Sequence, residues 1–231
     1  MTVAALVPCR KDSERILEKN TRAFASFPGG LLELKLGQLL RCRTLDAVIV
    51  NSDDERAIQV ATSLAELPAR PRLEVVRRAP EFSRPQTSTE ELIGYLADSS
   101  DADLILWTHV TSPLIGEATY DRAVEIYRDL DPHQHDSLMS VTRLQEFIWD
   151  AQGPKNYDPG SSRWPRTQDL PRWYLVNSGI FLCPRHLMQS RRDRIGERPY
   201  LLELDRWQGL DVDWPDDFTL AELAFQTFGA R

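Results

Sequence analysis

The sequence predicts an α/β protein with a mostly parallel sheet and helices on both faces. Two observations predict it. Short runs rich in apolar residues, Val3 to Val7, Ala47 to Val50, Leu73 to Val76 and Leu104 to Trp107, read as buried strands. Segments with helical character separate them, and strands alternating with helices at this rhythm build parallel sheets through right-handed crossovers.

The elements follow in order. The first strand breaks at Pro8 and opens into a loop carrying Arg10, Lys11, Arg15 and Lys19. Pro28-Gly29-Gly30 is a turn before a helix over Leu31 to Leu40, whose apolar residues recur at helical spacing. The second strand ends in Asn51-Ser52-Asp53-Asp54. Asp53 or Asp54 can cap a helix running to Leu67, with Glu55 in its first turn. After the third strand come a loop, Arg77 to Phe82, and a helix from about Ser88 to Ala97. The fourth strand runs into Thr108 to Pro113, and a helix over Ala118 to Leu130 follows. The rhythm breaks after Ser137 to Val141. From Phe147 to Trp173 the chain is rich in Pro, Gly, Trp and Arg, which predicts an inserted arm at about 142–173 within a single domain spanning 1–231. The core resumes at Tyr174 to Leu182, with a helix near Arg185 to Arg192. A last strand is expected at Leu210 to Asp213, before a final helix opened by Pro215, Asp216 and Asp217.

The bulk properties narrow the function. A net charge of −7 argues against nucleic acid as a partner, because phosphate backbones select basic faces. No apolar run is long enough for a membrane span, and the chain enters a strand directly, so a cytoplasmic protein is expected. Three scattered cysteines, Cys9, Cys42 and Cys183, give no C-x-x-C and no disulfide framework.

The positive charge that exists is local. In a parallel α/β sheet the ligand sits at the carboxyl ends of the strands. Four cations on the first such loop therefore suggest a polyanion, most simply a triphosphate, although neither G-x-x-x-x-G-K-[ST] nor G-x-G-x-x-G is present. Asp211 and Asp213, two apart on an expected strand, share a face, and converging carboxylates suit a divalent cation bridging to phosphate. His109 leaves a buried strand at its ligand-facing end, with Thr111-Ser112-Pro113 just beyond. Arg163, Arg166 and Arg172 could form an anion clamp on the arm.

These segments together resemble the acylneuraminate cytidylyltransferases, the CMP-sialic acid synthetase group, with the CMP-KDO synthetases as cousins. Arg10, Ser13, Arg15, Ile16, Lys19 and Asn20 fit the family's opening stretch, and Ser52-Asp53 its Ser/Thr-Asp after strand two. Arg78 and Glu81-Phe82 fit its Arg-x-x-Glu-Leu segment. His109 to Leu114 fit its Gln-Pro-Thr-Ser-Pro-Leu, Arg166-Thr167-Gln168 with Asn177 to Phe181 its Arg-Gln and Asn-Gly-Ala-Ile-Tyr, and Asp211-Val212-Asp213 its Asp-Ile-Asp. Six motifs in the right order span nearly the whole chain.

The resemblance implies a Rossmann-like nucleotide-diphospho-sugar transferase core, a homodimer joined through a dimerisation arm, CTP as donor, an acidic 2-keto-3-deoxy sugar as acceptor, and Mg²⁺. On that reading Arg10, Ser13, Arg15, Lys19, Asn20, Ser52, Asp53 and Arg78 bind CTP. His109, Thr111, Ser112, Arg166, Gln168, Asn177 and Phe181 meet the acceptor, Asp211 and Asp213 hold the metal, and Arg10, Lys19, His109 and the two aspartates carry catalysis. Three departures stand out: Glu14 where the family usually has Lys, Pro85 near a usual Asp, and His109 in place of a Gln. Two other readings are a nucleotide-sugar-dependent glycosyltransferase of related fold, whose Asp-x-Asp usually falls mid-chain, and a non-catalytic nucleotide-binding paralogue.

Overall fold

A computed structural model describes residues 1–11, 13, 15–66, 71–84 and 86–229. Glu14, Pro85 and the expected helix end at Leu67 lie outside the described residues.

Seven strands form one sheet: β1 (Val3–Cys9), β2 (Ala47–Ser52), β3 (Arg72–Arg77), β4 (Leu104–Trp107), β5 (Ser137–Leu144), β8 (Trp173–Pro184) and β9 (Pro199–Leu204). Their spatial order is β3-β2-β1-β4-β8-β5-β9. Every neighbouring pair is parallel except those of β8, which runs antiparallel to β4 and β5.

Side chains of the central strands alternate between two cores, as the two-residue period requires. Val3, Ala5 and Val7 of β1 face one core, and Ala4 and Leu6 face the other. The first core is closed by α1 (Gly30–Leu39), α2 (Glu55–Ala65), α4 (Glu117–Asp129) and α6 (Pro215–Phe228), the second by α3 (Thr89–Asp98) and α5 (Arg185–Arg191). The expected helices on both faces are therefore present. Asp54 caps α2 by accepting from the Arg56 amide at 2.9 Å, and Ser88 with Glu91 forms a capping box on α3.

One expected element is different. The last strand is β9, and Leu210 to Asp213 is irregular chain. Pro199 is tolerated because it opens an edge strand. Asp205 then accepts the amides of Trp207 and Gln208 and turns the chain before Gly209. Val212 keeps the inward-facing alternation, fully buried between half-buried Asp211 and Asp213. Its backbone groups, however, bond to loops and not to a neighbouring strand.

Beyond β5, which runs on to Leu144, lies the segment expected as an arm. It contains a small hairpin of β6 (Trp149–Asp150) and β7 (Gly153–Pro154) and a cluster of Phe147, Trp149, Tyr157 and Trp164.

Candidate active site

The sheet order changes direction at β1, with β2 on one side and β4 on the other. Loops leaving the carboxyl ends of such strands diverge and leave a crevice. One cleft here is lined by Pro8, Arg10, Ser13, Arg15, Lys19 and Asn20 of the first loop and His109, Val110 and Thr111 after β4.

The first loop is held in place. Ile16 is buried in the core beneath it. Asp53 accepts the Lys11 amide at 2.8 Å, and the Asn20 side chain donates to the Arg10 carbonyl at 3.1 Å. Lys19 Nζ donates to the Val212 carbonyl at 2.8 Å, while the Val212 amide donates to the Thr111 carbonyl, also at 2.8 Å. The segment carrying both aspartates is thus tied to both loops of the cleft.

The two carboxylates differ. Asp213 Oδ1 lies 3.2 Å from Arg15 Nη1 and 3.6 Å from Lys19 Nζ. Asp211 is less well served: its Oδ1 is buried with no hydrogen-bond partner among the described residues. Burial holds its carboxyl above the usual range, and the nearby Asp213 charge adds to this, against the Thr111 hydrogen bond. An unsatisfied buried carboxylate oxygen beside a second carboxylate is a fit for a hard divalent cation. No group of three or more His, Cys, Asp or Glu gathers among the described residues. Two carboxylates are fewer ligands than a hard divalent cation takes, so the others would come from water or a bound ligand.

At the other end of the cleft, Trp107 Nε1 donates to His109 Nε2 at 3.1 Å, and Arg194 Nη1 lies 3.3 Å from the same nitrogen. Burial, then the Arg194 charge, pushes the imidazole pKa down to about 3. Sequence reasoning missed Arg194, which in Arg191-Arg192-Asp193-Arg194 reads as part of a solvated basic turn.

A second missed residue is Lys35, fully buried on α1. Its ammonium donates to the carbonyls of Ser112 at 2.8 Å and Ile115 at 3.4 Å and to Tyr120 Oη at 2.6 Å. Tyr120 Oη lies 2.9 Å from the Thr108 hydroxyl, which donates to the Gly179 carbonyl at 2.7 Å. Gln38 donates to the Pro113 carbonyl at 2.7 Å. These bonds set the floor beneath the Thr111–Ile115 loop. A lysine inside an otherwise leucine-rich helix was the available signal.

The remaining sequence candidates lie elsewhere. Ser52 is buried, and its hydroxyl accepts the Asp54 amide at 3.0 Å. Arg78 is buried against Asn51, donating to its side-chain oxygen at 2.7 Å and its carbonyl at 3.2 Å. Ser112 is buried, and its hydroxyl has no partner among the described residues. Asn177 is bonded within the sheet to Ser140 at 2.6 Å and Thr142 at 3.1 Å. Phe181 belongs to the second core, beneath Arg194. On the arm, Arg166 pairs with Asp169 at 2.7 Å, and the Gln168 carbonyl accepts from Gln145 at 3.0 Å.

A mostly parallel sheet with a cationic cleft at its switch point defines a Rossmann-like α/β core. Within that class, the sequence profile of the cytidylyltransferases matches residues 4–159, and the chain belongs to that family. It is 27% identical over 228 residues to the N-acylneuraminate cytidylyltransferase of Streptococcus agalactiae serotype III, covering 94% of this chain and 52% of that protein. The chain therefore spans about half the length of the curated relatives it matches. Solved structures that share the fold include two cytidylyl-type synthetases. One is CMP:2-keto-3-deoxy-manno-octonic acid synthetase complexed with CTP, at TM-score 0.68 and 14% identity over 98% of this chain and 99% of that one. The other is a 4-diphosphocytidyl-2C-methyl-D-erythritol synthase, at TM-score 0.65 and 15% identity over 97% and 99%. Among the described residues no helix is long and apolar enough to cross a membrane.

Proposed function

We propose that this chain transfers a cytidylyl group from CTP to an acidic 2-keto-3-deoxy sugar, giving a CMP-sugar and pyrophosphate. The observation that carries this reading is the cleft at the switch point, lined by Arg10, Arg15 and Lys19, the last two of which face Asp213 on the segment that also bears Asp211. Membership of the cytidylyltransferases and the likeness to a sialic-acid enzyme support cytidine as the base and an acidic sugar as the acceptor.

In this mechanism Arg10 and Lys19 hold the triphosphate. Among the described residues, Lys19 Nζ donates one hydrogen bond, to the Val212 carbonyl, and lies 3.6 Å from Asp213 Oδ1. Ser13, Arg15 and Asn20 line the same wall, and Asp53, just after β2, holds that loop through the Lys11 amide; we assign Ser52 and Arg78 to CTP as well. The anomeric hydroxyl of the acceptor attacks the α-phosphorus, and pyrophosphate leaves. Fixed cations already aimed at the phosphates stabilise the charge that builds there. Mg²⁺, held by Asp211 and Asp213, would supply further charge neutralisation at the phosphate oxygens when bound.

His109 and Thr111 face the acceptor end. Arg166 and Gln168 sit on the arm, and we assign them to the acceptor of a partner subunit in a homodimer. Exposure supports this. Trp149 and Trp164 are 55% and 63% exposed, and Trp173 to Val176 are exposed as a run although they lie on a strand. An apolar surface of this kind marks an interface, and a two-fold pair is the commonest closed solution. A cytoplasmic setting fits a CTP-dependent reaction. The test is pyrophosphate release from CTP with Mg²⁺ across a panel of acidic sugars. Release with at least one 2-keto-3-deoxy acid is expected, and silence across the panel would contradict the reading.

A further inference from the structure

We propose that Arg194 is a positioning residue for the acceptor end of the cleft. Together with Trp107 it fixes His109 as a neutral imidazole with its proton on Nδ1, which donates to an oxygen of the acceptor.

An indole N–H can only donate, and so can a guanidinium. Both are directed at His109 Nε2, at 3.1 Å from Trp107 and 3.3 Å from Arg194. Nε2 is therefore the acceptor nitrogen, and in a neutral ring the proton must sit on Nδ1. A proton on Nε2 would face two donors.

Arg194 is held where it can do this. Its guanidinium lies 4.2 Å from the Phe181 ring centroid and 5.9 Å from that of Trp107. No carboxylate among the described residues forms an ion pair with it; the nearby Asp193 charge acts on it, but the guanidinium still faces the imidazole. Lys19, from the first loop, also opposes protonation of His109. Asp213, from the segment before α6, favours it, but Asp213 is itself engaged by Arg15 and Lys19. Burial acts in the same direction as the two cations.

Nδ1 has no protein partner among the described residues, and His109 lines the cleft. The nitrogen left for a ligand is thus a donor. This excludes His109 as the base that removes the acceptor's proton. It assigns His109 to an oxygen bearing lone pairs, and the Arg194 charge behind it favours a carboxylate oxygen. Only the identity of that ligand rests on the proposed cytidylyl transfer; the tautomer does not.

The experiment is nitrogen-15 NMR of the histidine rings, assigned with His109→Gln, from pH 5.5 to 8.5. Wild-type protein should show the neutral Nδ1–H tautomer throughout. Arg194→Leu combined with Trp107→Phe should mix the tautomers or bring titration into this range. Arg194→Leu alone should raise the acceptor KM by about 10-fold, the scale of one lost hydrogen bond, with the CTP KM changed less than about twofold. A wild-type His109 that titrates in this range, or that carries its proton on Nε2, overturns the proposal. So does an Arg194→Leu protein with unchanged acceptor KM. Should the double variant fail to fold, the wild-type spectrum still decides the tautomer. If no acid is turned over by wild type, cytidylyl transfer fails while the spectrum still tests the tautomer.

Discussion

Lys19 Nζ donates to the carbonyl of Val212, a residue 193 positions away, at 2.8 Å. This bond joins the cationic first loop to the segment that carries both acidic residues. It brings opposite charges to one cleft before any ligand arrives, and it buries most of the Lys19 side chain, which is 13% exposed.

Lys19→Met is expected to remove that tie at similar length. A hydrogen bond from a charged donor contributes about 1.5–3 kcal/mol, and partial exposure should reduce this to about 1–2 kcal/mol of stability. On the proposed function, CTP affinity should fall by at least about 10-fold, since a charge assigned to the phosphates is also lost. Denaturant unfolding and calorimetric titration with CTP measure the two effects. Unchanged CTP affinity in both Lys19→Met and Arg10→Ala would make the loop a solvated surface.

Asp211→Asn should separate function from stability. Turnover should drop at least about 100-fold, the scale for one preorganised charge-stabilising group. At pH 7 the variant should melt at a higher temperature than wild type, because the native carboxyl pKa is raised above 3.8 by burial. The sign follows from linkage. Above the native pKa the wild type bears the cost of a buried charge. Below 3.8 the group is protonated both folded and unfolded, and the difference should vanish. Mg²⁺ should raise the melting temperature of wild type more than that of the variant. A lower melting temperature for Asp211→Asn at pH 7 would count against the unsatisfied carboxylate.

Lys35→Met tests the buried floor of the site. Burial lowers the Lys35 pKa from 10.5 to about 7. Between these values the unfolded chain binds more protons, so wild-type stability should rise with pH through this window. The variant lacks that rise and leaves the Ser112 and Ile115 carbonyls without their donor. It should be less stable than wild type by about 1–3 kcal/mol near pH 9, with the gap narrowing toward pH 7. A gap independent of pH would mean that Lys35 does not titrate there.

Much of this was legible in the chain. The strands from Val3, Ala47, Leu73 and Leu104 were readable because each is a short apolar run flanked by turn chemistry. Arg10, Ser13, Arg15, Lys19 and Asn20 fall on one loop, so locating the loop located them together. The aspartate pair was read from an expected strand that the structure does not form. Asp211 and Asp213 share a side by extended alternation, but the backbone of Val212 is held by Lys19 and Thr111 and not by a strand ladder. β9 was missed because Pro199 and Glu203 interrupt its apolar pattern. Arg194 and Lys35 were invisible as site residues because their roles depend on β4 and on the loop after it, far away in sequence. Asn177 was legible as a motif, yet its amide is engaged by Ser140 and Thr142 inside the sheet.

The arm gives a test of assembly. On the proposed homodimer, Trp149→Glu with Trp164→Glu should weaken association by placing charge in the apolar surface of the arm. Sedimentation at micromolar concentration should show a dimer for wild type and a shift toward monomer for the variant. Turnover should fall with it if Arg166 and Gln168 serve the partner's acceptor site. A wild-type protein that is strictly monomeric and fully active would remove the arm from the site.

The most direct measurement of the central claim is product formation under nucleotide competition. The protein is incubated with Mg²⁺, a panel of 2-keto-3-deoxy sugar acids and one of CTP, UTP, ATP or GTP, and the mixture is read by phosphorus-31 NMR. The account predicts a CMP phosphodiester and an equal amount of pyrophosphate with CTP, only when an acid is present. Pyrophosphate without a sugar ester, equal turnover of another nucleotide, or no CMP-sugar with any acid would contradict it.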